Sequence, residues 1–241
     1  MSRIVGAVVC PSTPLLLPGV TGRMDPIPAL REACHDAVAE LLSHGPEHIV
    51  VVGSAPVPST AALIVHNPSD LIDDARRALA PRRGQPPAPD APVLPLAVGA
   101  SLLTAAGWPG PLAWWAVTPT TPPGAAADLG AIAGTSHRTA VLALGGGSAC
   151  STLKAPGFRH PEAEQFNRDL VDAVAQWDVP TLMSLSTKSA EQLADLPTTM
   201  CFLAGAVASA GPQRVNVAML AREVVAGVLC AVAELRIAAP P

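Results

Sequence analysis

The chain has 241 residues, of which 49% are hydrophobic and 14% charged, so it can bury the core of one domain and a second domain is not required. A formal net charge of −4 without a basic face argues against nucleic-acid binding, and an aromatic content of 3% leaves little for base stacking. No apolar stretch reaches the roughly 20 residues that span a bilayer, and the N-terminus lacks the features of a signal peptide. We therefore expect a cytoplasmic protein.

Short apolar runs alternate with amphipathic segments, which is typical of an α/β fold. The first part of the chain predicts a strand over 4–9, a helix over 26–43 and a second strand over 49–52. Residues 67–92 are rich in proline, Asp and Arg and predict a surface loop. Such proline-rich loops bind adaptor domains in some proteins, although a solvated insertion is the simpler interpretation.

The second part of the chain continues the alternation. It predicts helices over 96–106, 122–133, 161–177 and 189–208, with strands over 112–118 and 139–144. Pro161 suits the first turn of its helix, and Pro197 interrupts the last one. Residues 215–237 fit both one long helix and a strand pair, and the interpretation as strands depends on the family resemblance described below. The prediction is one α/β domain over 1–241, with a mixed central sheet flanked by helices.

Three of the apolar runs end in turns of small residues. These turns are CPSTP at 10–14, GSAP at 53–56 and GGGSAC at 145–150. Ligands of open α/β sheets bind beyond the carboxyl ends of the strands, so the turns predict a shared crevice. The residues expected to line it are Cys10, Ser12, Ser54, Gly146, Ser148 and Cys150.

The three turns resemble the segments that carry the iron ligands and the catalytic base in class III extradiol ring-cleavage dioxygenases, the LigB-like family. The sequence PSTPLLLP at 11–18 is similar to the family's Pro-His-x-Pro turn, with Ser12 in the histidine position. Residues 53–56 resemble its Ser-Pro-His segment, with Pro56 where the second histidine stands. Residues 145–149 match the base-bearing Gly-Asp-x-Ser-His turn only at the first glycine and the serine, which leaves Ala149 in the position of the base.

Residues 145–149 and the KAPG sequence at 154–157 also resemble an actinobacterial subgroup with Gly-Asp-Gly-Ser-Ala, except that Gly146 replaces the aspartate. The resemblance implies a LigB-like fold and a non-haem Fe(II) site. Its carboxylate ligand would fall within 191–200, where Glu191 and Asp195 both remain open. Serine is a poor iron ligand, proline has no side-chain donor and alanine cannot transfer a proton. We therefore predict that the iron site and ring cleavage are lost and that no cofactor is bound.

Three functional hypotheses result. The first is a pseudoenzyme that binds an unidentified small molecule in the crevice or has a structural or assembly role, and family resemblance is compatible with a homodimer. The second is an active or repurposed enzyme. It would be an extradiol-type iron oxidoreductase, or a hydrolase with Cys10, Ser12, Ser148 or Cys150 as nucleophile. The third is an interaction module that works through residues 82–92.

Other chemical motifs are weak. The five cysteines are scattered without a Cys-x-x-Cys pair, which favours small buried hydrophobic residues over a metal or redox centre. The glycines at 145–147 are interpreted as a tight turn, because the spacing of an anion-binding P-loop is missing. His66 lies near Asp70, Asp73 and Asp74, but a polar loop is the expected setting and we interpret these residues as solvated.

Overall fold

The computed structural model describes residues 4–21, 24–55, 63, 65, 67–79, 93–134 and 138–238. Within these ranges the strands are β1 (Ile4–Cys10), β2 (His48–Ser54), β3 (Leu112–Val117), β4 (Thr139–Leu144), β5 (Arg214–Val225) and β6 (Val228–Ala238). The helices are α1 (Pro28–Ser43), α2 (Pro68–Leu79), α3 (Leu94–Ala105), α4 (Pro123–Ala133), α5 (Ala163–Gln176), α6 (Val179–Ser186), α7 (Ser189–Gln192) and α8 (Leu196–Ser209). None of the described helices is long and apolar enough to cross a membrane.

The strands form one sheet in the order β3-β2-β4-β1-β6-β5. The four strands β1 to β4 are parallel, whereas β6 runs antiparallel to β1 and β5 antiparallel to β6. The central strands β1 and β4 are buried along their whole length, which explains their continuous apolar sequences. Helices α1 and α3 contribute to the core on one face, and α5, α6 and α8 to the core on the other. The predicted mixed α/β sheet flanked by helices is confirmed.

Helices α4 and α8 approach each other unusually closely on the second face. A Cβ atom added to Gly130 would lie 1.8 Å from the carbonyl oxygen of Phe202. One added to Gly205 would lie 1.9 Å from the carbonyl oxygen of Ala127. Only glycine leaves room for both backbones, so these two residues set the distance between the helices.

The prediction of a loop over 67–92 is wrong for its first half. Residues 68–79 form α2, which begins at Pro68 and carries Asp70 in its first turn. Ala75 is buried on the side of the helix that faces the core. Proline at a helix start and acidic residues in the first turn both favour helix, so the composition was misleading there. Residues 80–92, His66 and Pro56 lie outside the described residues.

Helix boundaries differ from prediction around α5 to α8. Pro161 precedes α5, which begins at Ala163. Helix α6 was not predicted; Asp178 caps it by accepting a hydrogen bond of 3.1 Å from the Thr181 N–H. The interruption of the last predicted helix lies at 193–195, whereas Pro197 belongs to the first turn of α8.

The C-terminal segment is a strand pair, as the family resemblance led us to expect. Strands β5 and β6 are joined by a two-residue turn at Ala226 and Gly227, whose φ values are 51° and 84°. Two consecutive positive φ values are the geometry of a tight hairpin turn. The hairpin brings the start of β6 to the carboxyl ends of the parallel strands.

Candidate functional site

The carboxyl ends of β1, β2 and β4 meet at one edge of the sheet. Cys10 at the end of β1 lies opposite Leu144 at the end of β4. The Gly145 N–H extends this pairing with a hydrogen bond of 3.0 Å to the Cys10 carbonyl. The turns that follow these strands therefore converge. Two cavities open here, of about 410 and about 360 Å³, and Ser12 lines both.

The two cavities differ in polarity. The first has three polar side chains, Ser12, Ser54 and Asp195, and an apolar wall formed by Ala55 and residues 93–95. The second is almost wholly apolar. Its lining consists of Ser12, Thr13, Pro14, Leu15, Gly146, Pro156, Val225, Ala226, Val228 and Cys230. Of the six residues predicted to line the crevice, Ser12, Ser54 and Gly146 do so.

Asp195 is the charged residue of this site, and it lies directly before α8. Its carboxylate accepts hydrogen bonds from the Gly146 N–H and from the Ser12 hydroxyl, the latter at 3.4 Å. The backbone is fixed as well, because the Asp195 and Leu196 N–H groups both donate to the Gly146 carbonyl, at 3.2 and 2.9 Å. Burial raises the pKa of the Asp195 carboxyl to about 6, against the effect of these hydrogen bonds. Its remaining exposed surface faces the first cavity.

The structure distinguishes the two acidic residues between which the resemblance could not choose. Glu191 is 62% exposed and lies 3.4 Å from His160, and it lines neither cavity. Asp195 lies in the crevice. Asp followed by Leu-Pro is typical of the start of a helix. This pattern in the sequence could have predicted that Asp195 lies in the turn directly before a helix.

The glycine-rich turn that follows β4 has no N–H group left for a ligand. The N–H groups of residues 145–149 donate, in order, to the Cys10 carbonyl, the Asp195 carboxylate, the Leu229 carbonyl, the Asn167 side chain and the Gln192 carbonyl. An anion cradle needs several converging unpaired donors. The interpretation as a structural turn is therefore confirmed.

Ser148 and Cys150 were expected in the crevice, but neither lines either of the two cavities described above. The Ser148 hydroxyl is fully buried and donates to Gln192 Oε1 at 2.9 Å. Gln192 Nε2 in turn lies 2.9 Å from His160 Nδ1. Cys150 is buried against the Gly157 carbonyl, with its Sγ at 3.6 Å. These contacts join the turn to α7, and they give both residues a structural role.

Cys10 also lies beneath the crevice and not in its wall. It is fully buried, and a hydrogen bond with Cys34, together with burial, raises the pKa of its thiol well above the usual range. Cys230 lines the second cavity, and burial raises its pKa to about 12. Both thiols therefore stay protonated at neutral pH and are poor nucleophiles. All five cysteines are buried and free, as predicted.

The donor atoms of the crevice do not fit the iron centre that the resemblance implies. Such a centre uses two imidazoles and one carboxylate. The described lining offers one carboxylate, the hydroxyls of Ser12, Thr13 and Ser54, and the protonated thiol of Cys230. Ala149 is buried and has no donor, and a proline such as Pro56 has none in its side chain. Imidazole is therefore missing from the described part of the site.

A separate cluster of potential metal ligands lies at the far end of α1. Glu40, His44 and Glu234 hold donor atoms within 4.8 Å of one another. The Arg236 guanidinium occupies the same place, at 2.7 Å from Glu234 and 3.5 Å from Glu40. One of the two negative charges of this cluster is therefore already balanced by the protein.

Comparisons with known proteins add information on the fold. No protein-family model matches the chain, and no curated protein matches its sequence. Among solved structures, a crystal structure of an uncharacterized protein from Escherichia coli K12 is similar. The two are 16% identical, the match covers 97% of this chain and 99% of that one, and the TM-score is 0.50. At this identity the likeness concerns the overall fold alone.

Proposed function

We propose that this protein is a LigB-like homologue of the extradiol dioxygenases that has lost ring-cleavage chemistry and binds a small molecule in the crevice around Asp195. The observation that carries the proposal is an open crevice whose described lining contains no imidazole. Cavities of about 410 and 360 Å³ lie within the range typical of ligand pockets, roughly 300–1,000 Å³. The donor atoms of their described lining do not include the two strong neutral ligands that hold Fe(II).

The architecture of the crevice also supports binding over a purely structural role. Ser12, Ser54 and Asp195 expose polar atoms to the first cavity, beside an apolar wall. A few polar groups set among apolar side chains are typical of small-molecule sites. A crevice kept only for packing would be expected to be filled by side chains.

The first experiment tests the loss of iron chemistry. Protein is purified under reducing conditions with Fe(II) supplied, its metal content is measured, and oxygen uptake is followed with catechol. We expect far less than one iron per chain and no uptake above the buffer rate. Iron retained near one per chain, or uptake abolished by an iron chelator, would overturn the proposal.

The second experiment tests binding at the crevice. A library of small metabolites is screened by thermal shift against the wild-type protein and against Ser54→Trp, which places an indole in the first cavity. Ser184→Trp is the matched control, because Ser184 is exposed on α6. We expect compounds that stabilise the wild type and the control but not Ser54→Trp. Stabilisation that survives in Ser54→Trp contradicts binding in this cavity.

A hydrolase is the second candidate, because the Ser12 hydroxyl is hydrogen-bonded to Asp195, whose pKa of about 6 suits a general base. Two features argue against a hydrolase. The hydrogen bond between Ser12 and Asp195 is long, at 3.4 Å. The N–H groups of the turn at 145–149 are all paired, so they cannot stabilise an oxyanion. Hydrolysis of p-nitrophenyl acetate that disappears in Ser12→Ala but persists in Ser184→Ala would favour this candidate.

A further inference from the structure

The carboxylate of Asp195 lacks a positive partner in the described part of the crevice. Its hydrogen-bond donors, the Gly146 N–H and the Ser12 hydroxyl, are both neutral. The described residues that line the two cavities include no Lys, Arg or His. A buried carboxylate without a cation is costly, and a bound cation would relieve that cost.

The surroundings of this carboxylate select the kind of cation. The side chain lines a cavity together with the apolar residues Ala55, Val93, Leu94 and Pro95. A hydrated metal ion would gain nothing from this wall and would find a single carboxylate as its charged ligand. An organic cation with an apolar body would bury that body against the wall at roughly 25 cal/mol per Å².

We propose that the crevice binds a small primary amine with an apolar body, its ammonium group paired with Asp195 and its body packed against Leu94 and Pro95. The proposal rests on the binding function inferred above and names its ligand class. An ammonium group has three N–H donors, and the hydroxyl oxygens of Ser12 and Ser54 are further acceptors in the same cavity. Carboxylates and phosphates are repelled by Asp195 and find no cation in the described lining.

The pairing predicts a dependence on pH that comes from Asp195. On the neighbouring strands, the thiol of Cys230 lines the second cavity and that of Cys10 lies beneath the crevice. Cys230 on β6 has a pKa of about 12, and the pKa of Cys10 on β1 is also raised. Glu223 on β5 lies beside Cys230 and is exposed to solvent. An alkylammonium ion keeps its charge below pH 9, so between pH 5 and 8 the carboxyl at 195 is the group whose titration changes binding.

The test uses three ligands of one shape on the full chain, measured by isothermal titration calorimetry at pH 7.5. These are cyclohexylmethylamine, cyclohexylmethanol and cyclohexanecarboxylate. We expect the amine to bind at least tenfold more tightly than the alcohol, and the carboxylate to show no saturable binding. Asp195→Asn is expected to lower amine affinity at least tenfold and to leave alcohol affinity within twofold. The control Asp172→Asn removes an exposed charge on α5 and should change neither.

A measurement on the wild type keeps the test decisive if Asp195→Asn does not fold. With a pKa of about 6, the ionised fraction of Asp195 falls about tenfold between pH 7.5 and pH 5, and amine affinity should fall with it. Equal affinity for amine and alcohol, a flat pH profile or no binding of any of the three overturns the amine proposal. Retained iron overturns the proposed function instead, so the two failures are distinguishable.

Discussion

Replacing Asp195 by Asn is expected to stabilise the protein at neutral pH. An unburied Asp has a pKa near 3.8, and burial raises that of Asp195 to about 6. The folded state therefore holds this proton more tightly than the unfolded state, and ionisation costs folding free energy as the pH rises. Asparagine has the same shape, and its Oδ1 can still accept the Gly146 N–H, so the substitution removes the charge and keeps the contact.

The magnitude follows from the two pKa values. A difference of about two units corresponds to ~3 kcal/mol. This is an upper value, because Asp195 partly faces a cavity that admits water, and we expect a gain of about 1–3 kcal/mol. The gain should be complete above pH 6. It should fade as the pH falls towards 4, where the carboxyl is protonated in the folded state and increasingly in the unfolded state.

Urea unfolding of the wild type and Asp195→Asn at pH 4.5, 6.0 and 7.5 measures this gain. Asp172→Asn, which removes a charge from the surface of α5, corrects for the change in net charge. The difference in unfolding free energy between Asp195→Asn and the wild type should grow with pH, and that of the control should not. A difference that is constant with pH would refute the argument that burial raises this pKa.

Three further predictions concern the contact between α4 and α8, the charge beside Asp195 and the ion pair on β6. Gly205→Ala should lower the free energy of unfolding by more than about 2 kcal/mol in chemical denaturation, because its Cβ would overlap the α4 backbone. The control Gly124→Ala has open space around its Cβ and should change the free energy of unfolding by less than about 1 kcal/mol. Gly146→Asp places a second carboxylate beside Asp195 and should raise the pKa of Asp195 above 6 in an NMR titration. Arg236→Met removes the cation that pairs with the buried carboxylate of Glu234 on β6 and should lower the free energy of unfolding measured in urea.

Most of the sheet could be predicted because its central strands are buried on both faces. The apolar runs in β1, β2 and β4 are short, rich in β-branched residues and bounded by glycine or proline, which leaves few alternatives. The hairpin of β5 and β6 was ambiguous for a physical reason. β5 is an edge strand whose Val217, Leu220, Ala221, Val224 and Val225 recur at three- and four-residue spacing, so its sequence also fits a helical period.

The candidate site was predicted less completely, because its lining depends on which way each turn directs its side chains. Ser12 and Ser148 both follow strands, yet the first faces both cavities and the second is buried against Gln192. The spacing of residues in the sequence does not distinguish these two orientations of a serine side chain. The sequence could not decide between Asp195 and Glu191 for a similar reason. Asp195 lies in the crevice because the start of α8 contacts Gly146, which is 49 residues away in the sequence.

The contact between Asp195 and Gly146 also gives the Asp195 carboxylate a structural role that does not depend on any ligand. The Gly146 N–H is buried at the end of β4, and an unpaired N–H there would cost about 1–3 kcal/mol. Asp195→Ala is therefore expected to be less stable than Asp195→Asn by about this amount at every pH, because only asparagine retains an acceptor. Urea unfolding of the two variants between pH 4.5 and 7.5 measures the difference. Equal stability would mean that cavity water satisfies the N–H, and this contact would then not explain why residue 195 carries an acceptor.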